Sequence, residues 1–339
     1  MQNTQIIEIS PTEYRKAEGI NFTSLSALAV SPKHYQDMLL KEPVDTDAFI
    51  RGGAVDCLLT TPEEFKNEFY VMTAKKPESV MMVAYVEKYL ETEDHGAALQ
   101  ASGYKRPLPT AKWEEEGKPY YEALKASNGK RILSFDTYSK VQSVVNSFQT
   151  SEYTQKYFNE RNNCDLLFQK AIFWKTKGLT CKSLLDLIII DHNKKSIIPI
   201  DIKTTGNSVY SFPASFKKWK YYLQAAFYTA AVNYWINSDP ILKEYTVQPF
   251  KFLVAEMDNY NLPIVYKVST DDLYVGTYGG EDRFGNQIRG WKQLIDELHY
   301  HSEKSNWNYP EQLIKNNGEV ELNAFIAPSV ITRENTNTY

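Results

Sequence analysis

Residues 197–206 read IIPIDIKTTG. Strand side chains alternate, so Asp201 and Lys203, two apart, share one face of a mostly apolar strand. Taken alone, such a pair is an ordinary ion pair at a strand end. A second carboxylate changes the chemistry. The turn DHNKKS separates two apolar runs, LLDLIIID and SIIPIDIKTT. A hairpin closed symmetrically between Asn193 and Lys194 pairs residues whose numbers sum to 387. Asp186 then lies opposite Asp201, with Cβ atoms about 5 Å apart. Two carboxylates that close repel unless one is protonated or a cation lies between them. A divalent metal with oxygen ligands meets that need. Beside it, Lys203 would orient or help deprotonate a water and stabilise charge developing on a phosphate. Pro199 lacks a donor and is the residue at which a bulge would shift this register.

The segment SFKKWKYYLQAAFY carries further candidates. On one continuous helix, Lys217, Tyr221, Gln224 and Tyr228 form a single stripe, with Phe227, Ala230, Ala231 and Tyr234 as the core side. A tyrosine-rich surface helix would show the same pattern. Lys217, Lys218 and Lys220, interleaved with Tyr221, suit contact with phosphates and bases.

Several elements must position these groups. TSLSALAVSPKHYQDML and DAFIRGGAVDCLL read as helices, and Thr61, Pro62 and Glu64 suggest a capping box for another. Residues 74–130 are polar and interrupted, an expected insertion or flexible cover containing a helix at VMMVAYVEKYLE. SFDTYSKVQSVVNSFQ is amphipathic. From 166 the pattern changes to short β-branched runs, LLFQKAIFWKT, TCKSLLDLIIID and SIIPIDIKTT, which read as strands. After the helical stretch to about residue 237, FKFLVAEM and IVYKVS suggest two more strands, and IRGWKQLIDELHYHSEK a last helix. The expected fold is α/β, a mixed central sheet flanked by helices, over one domain spanning 1–339.

The totals exclude several classes. Net charge is −4, so nucleic-acid contact must use a local basic patch. Cys57, Cys164 and Cys181 form neither a disulfide framework nor a zinc pattern, which suggests a reducing, cytoplasmic setting. No secretory signal or membrane-length apolar run is evident, and no P-loop motor motif is present. His299 and His301, two apart in a helical pattern, read as surface residues.

Asp186, then Asp201-Ile202-Lys203, then a helix carrying Gln224-Ala225-Ala226-Phe227-Tyr228 resembles the PD-(D/E)XK nuclease core in its RecB-like branch. Upstream, SLSALAVSPKHYQDML and GGAVDCLLTTPEEF resemble the opening of the exonuclease VIII (RecE C-terminal) family, often phage or prophage encoded. The likeness covers roughly residues 20–70 and 165–235. It implies a metal-dependent DNA exonuclease hydrolysing phosphodiesters from duplex ends, with Mg²⁺ or Mn²⁺ as cofactor. Asp186, Asp201, Asp56 and the Ile202 backbone carbonyl would hold the ion. Lys203 would act on the attacking water, and Gln224 and Tyr228 would position the phosphate or support the lysine. A single-strand annealing protein and a homo-oligomer are the implied partners. The family carries a histidine ligand where this chain has Asp56; aspartate is the harder donor and suits the same ions. The rival reading is a DNA-end-binding protein that kept the fold and lost turnover. An iron–sulfur cluster is not expected, because no cysteine follows Cys181.

Overall fold

The computed structural model describes residues 4–41, 44–282 and 285–320. The chain begins with β1 (Gln5–Glu8), α1 (Pro11–Lys16), α2 (Phe22–Leu28), α3 (Pro32–Leu40), α4 (Asp47–Thr60) and α5 (Phe65–Glu68). It continues through β2 (Phe69–Met72), α6 (Val80–Thr92), α7 (His95–Ser102), α8 (Thr110–Lys112), α9 (Lys118–Ser127), β3 (Arg131–Ser134) and α10 (Phe135–Thr150). Then come the long strands β4 (Cys164–Thr176), β5 (Leu179–Asp191) and β6 (Ser196–Thr205), followed by α11 (Phe212–Lys218) and α12 (Tyr221–Ser238). The remainder is β7 (Thr246–Val247), β8 (Lys251–Glu256), β9 (Ile264–Lys267), α13 (Thr270–Tyr278), β10 (Gly280–Glu281), β11 (Gln287–Ile288), α14 (Trp291–Lys304) and α15 (Glu311–Lys315).

The central sheet is mixed, in the order β1-β4-β5-β6-β8-β9, with β7 also paired to β6. β4 and β5 form a hairpin whose two-residue turn, Lys177 and Gly178, takes positive φ at both positions. That conformation matches the twist of the flanking strands. The β5–β6 pairing runs from Leu187 opposite Ile200 to Asp191 opposite Ser196, which is the symmetric register expected from the turn. Pro199 causes no bulge; it faces Ile188. On its other side β7 pairs at Ser196–Ile197 and β8 only from Ile200 onward, so Pro199 falls between the two ladders and no partner needs its missing N–H. β6 and β8 are parallel, joined by the α11–α12 crossover.

Both faces of the sheet are covered. On one, Ile188, Ile190, Ile197, Phe252 and Val254 pack with Leu223 and Phe227 of α12, Leu294 of α14 and Leu25 of α2. On the other, Leu187, Ile189, Ile200 and Ile202 pack with Ala54 and Val55 of α4 and Val144 and Phe148 of α10. Apolar residues on both faces explain why β5 and β6 read as near-continuous hydrophobic runs. The 74–130 segment folds into helices with a small core of its own, Met82 and Val86 of α6 against Tyr120 and Ala123 of α9.

Three local expectations change. The single helix drawn through residues 217–228 is two helices, broken where Lys220 adopts φ 57°. Thr61 makes no side-chain cap; a short 3-10 turn, Pro62–Glu64, follows it. His301 is fully buried, its Nδ1 2.5 Å from the Asn306 carbonyl, because one side of α14 packs against the core. His299 stays half-exposed beside Glu303. Among the described residues, no helix is long and apolar enough to cross a membrane.

Candidate active site

The two aspartates meet where the β5–β6 hairpin ladder ends. Asp186 Oδ2 accepts the Ile202 backbone N–H at 2.7 Å, which ties its carboxylate to the neighbouring strand. Asp201 is only 3% exposed. Its Oδ1 accepts from Gln224 Nε2 at 2.6 Å, and its Oδ2 lies 2.6 Å from Lys203 Nζ. Gln224 reaches it because α12 packs across this face of the sheet. Lys203 Nζ also sits 5.0 Å from the centroid of the Tyr221 ring, at the first residue of α12. Such a contact favours the cationic form.

Asp56 enters from α4, on the opposite side of the sheet from α12. The helix approaches β6 closely at Gly52, where an added Cβ would lie 3.3 Å from Thr204 Oγ1. At Gly53 it would lie 2.8 Å from Arg131 Nη1. The paired glycines therefore let α4 and the Arg131 side chain crowd together one turn before Asp56. Asp56, Asp186, Ile202 and Lys203 line one cavity of about 300 Å³, together with Gln169, Arg15 and Arg131. Arg131 pairs with Glu68 and lies over the Phe69 ring at 4.1 Å.

Burial and mutual repulsion set the protonation of the cluster. Burial, then the neighbouring charge of Asp186, pushes the Asp56 carboxyl well above its usual range, with Lys203 opposing. Asp186 is pushed up to about 7 by burial and by Asp201, against Lys203, the Ile202 N–H and Gln169. Asp201 is raised by burial and partly relieved by Lys203. Burial works against the Lys203 ammonium, but Asp201, Tyr221 and Asp186 together hold its pKa above the ordinary value. Three carboxylates thus lie near one buried ammonium, with Arg131 also acting on Asp56. Among the described residues, no group of three or more His, Cys, Asp or Glu side chains is placed to hold a metal ion. Asp201 is turned toward Gln224 and Lys203, while Asp56 and Asp186 line the cavity.

Other candidates sit elsewhere. Tyr228 is in the core, 8% exposed and against Phe250; it does not line this cavity, but its hydroxyl reaches Gln224 behind Asp201. Lys217 pairs with Asp282 at 2.6 Å at the end of α11, and Lys218 lies over the Trp219 ring at 4.6 Å. Neither they nor Lys220 line this cavity. Gln169, Arg15 and Arg131 were not anticipated: isolated polar residues far apart in the chain carry no local pattern, and only the folded sheet brings them together.

No family model matches the chain, and no curated protein matches it. Among solved structures, it is similar to a protein of Eubacterium rectale named provisionally as an exonuclease. That likeness has 11% identity, covers 93% of this chain and 89% of the other, and has a TM-score of 0.42. A second similarity, to protein VC1899 of Vibrio cholerae, has 11% identity over 90% of this chain and 60% of that one, with a TM-score of 0.18. Both are too distant to carry an argument about function, which rests on the site itself.

Proposed function

We propose that the chain is a metal-dependent deoxyribonuclease of the PD-(D/E)XK type, hydrolysing phosphodiester bonds from the ends of duplex DNA. One observation carries the reading: Asp201 and Lys203 on one face of β6, with Gln224 on Asp201 and Asp186 and Asp56 brought beside them from β5 and α4. The donor set is carboxylate oxygen with the Ile202 carbonyl nearby, hard ligands that suit Mg²⁺ or Mn²⁺. The carboxylates of Asp56 and Asp186 facing one cavity, with Asp201 behind them on Lys203, support a cation-binding reading.

Asp56 and Asp186, which line the cavity, would hold the ion, and Asp201 would join them by turning from Lys203. When bound, it would supply Lewis-acid stabilisation of the phosphate and a more acidic water. The chain's own groups do the positioning. The Ile202 N–H fixes the Asp186 carboxylate. Gln224 fixes Asp201, which in turn keeps the Lys203 ammonium charged. Lys203 would orient the attacking water and stabilise charge developing on the phosphoryl oxygens. Lys217, Lys218, Lys220 and Tyr221 would contact the DNA backbone and bases beyond the scissile bond. Work in recombination or phage DNA metabolism, beside a single-strand annealing protein, as a homo-oligomer and in the cytoplasm belongs to the same proposal.

A linear duplex labelled at its 5′ or 3′ ends, incubated with Mg²⁺ or Mn²⁺, is expected to release nucleotides, and a closed circle to stay intact. Asp56 in place of the family's histidine favours one other reading, an end-binding protein without turnover. Binding of the linear duplex with no cleavage under either metal would establish that reading and end the enzymatic one.

A further inference from the structure

Gln169 occupies an unusual place. It lies in the middle of β4, a strand of 13 residues, yet has φ 46°. A non-glycine residue in that region inside a strand is strained, and such strain persists only where the surroundings over-determine it. The β4–β5 ladder is interrupted there. Phe168 pairs with Leu187 and Lys170 with Leu185, while Gln169 and Asp186 between them make no ladder pair.

Both strands exchange faces at this point. On β4, Leu166 and Phe168 pack with the α4–α10 side, but Ile172 and Trp174, of the same parity, pack with the α12 side. On β5, Leu187 and Ile189 belong to the first side and Leu185 to the second. In a regular strand residues of one parity stay on one face, so each chain is rotated once, at Gln169 and at Asp186. The rotation leaves Asp186 half-buried at the cavity wall. Gln169 lines the same cavity, and its Nε2 lies 3.4 Å from Asp186 Oδ1. The two oxygens of Asp186 therefore meet Gln169 and the Ile202 N–H.

We infer that Gln169 is a positioning residue for the cation site, its left-handed backbone turning Asp186 toward the cavity and its amide setting the orientation of the carboxylate. The inference rests on the proposed metal-dependent reading. Partners that orient a metal-binding carboxylate typically change metal affinity or activity by 10–100-fold when removed.

The test is calorimetric titration of Mn²⁺ into the DNA-free full chain, with end-labelled duplex cleavage as a second measurement. Q169A is expected to weaken Mn²⁺ binding about tenfold. Q169G removes the amide while relieving the backbone, because glycine adopts positive φ without strain. It is expected to unfold no more easily than wild type and still bind Mn²⁺ about tenfold more weakly, and it serves if Q169A does not fold. Wild-type binding and cleavage with Mn²⁺ affinity of both variants within about twofold of wild type, well under the expected change, would overturn the inference alone. Absence of Mn²⁺ binding by the wild-type chain would overturn it together with the metal-dependent reading.

Discussion

The two ends of the β5–β6 hairpin carry the same residue type in opposite electrostatic states. At the turn, Asp191 Oδ1 accepts the Lys194 backbone N–H at 3.0 Å, and the Lys194 ammonium lies 3.4 Å from its Oδ2. These contacts, the backbone hydrogen bond foremost, hold its carboxyl below the usual range. At the open end, buried Asp201 and half-buried Asp186 and Asp56 sit together, and all three carboxyls are pushed up. One end is a satisfied turn that stabilises the fold. The other keeps carboxylates together at a cost in stability, as functional sites commonly do.

The sharpest way to break the contrast is at Lys203. Lys203→Ala is expected to lower duplex cleavage about a thousandfold, within the usual range for a group acting on proton transfer. Without divalent metal at pH 8, it should also destabilise the fold by about 3 kcal/mol, since Asp201 loses its buried counter-charge. Urea unfolding and single-turnover cleavage measure the two effects, and full activity in this variant would remove the lysine from the mechanism. A smaller effect is expected from Gln224→Leu, which strips Asp201 of its one side-chain amide donor inside the core. It should cost about 2 kcal/mol in the same unfolding assay.

The pH dependence should differ in sign between the two ends. With the folded Asp186 near 7 and an unfolded aspartate near 3.9, the native state holds the proton longer. In EDTA, its contribution to stability is greatest below about pH 4, falls as pH rises toward about 7, and then levels. Asp186→Asn should flatten that decline. Asp191, with its carboxyl held low, contributes above about pH 4 and loses that contribution as pH falls through its folded value. Asp191→Ala should be the mildest change, about 1 kcal/mol at pH 7, with cleavage unchanged. A large loss of cleavage there would show that the two ends are not separable.

Much of this arrangement was legible in the chain. The symmetric turn and the alternation of Ile and Leu predicted the register of β5 and β6 because side-chain parity and turn length leave little freedom in a buried hairpin. The spacing from Asp201 to Lys203, and the glutamine on the next long helix, also marked groups that meet in space. Other features were hidden for physical reasons. Helical periodicity continues across Trp219 and Lys220, so nothing local revealed that Lys220 takes φ 57° and separates Lys217 from the Gln224 helix. The aromatic and amide residues of α12 looked like a surface stripe, yet Gln224 and Tyr228 are buried, because α12 packs across the sheet beneath α14 and α2. His301 looked like a surface histidine until Asn306 and Glu297 enclosed it.

By itself, the sequence determined the β5–β6 hairpin, the shared face of Asp201 and Lys203 and the helical character of the segments around them. Local sterics, strand parity and hydrophobic alternation act over a few residues and can be read directly. The tertiary structure decided which distant groups join that pair. It brings Asp56 on α4 and Gln169 in the rotated β4 to the wall that Asp186 occupies. It also decided the charge state of the cluster, since burial and the proximity of like charges, which no local pattern encodes, push those carboxyls upward.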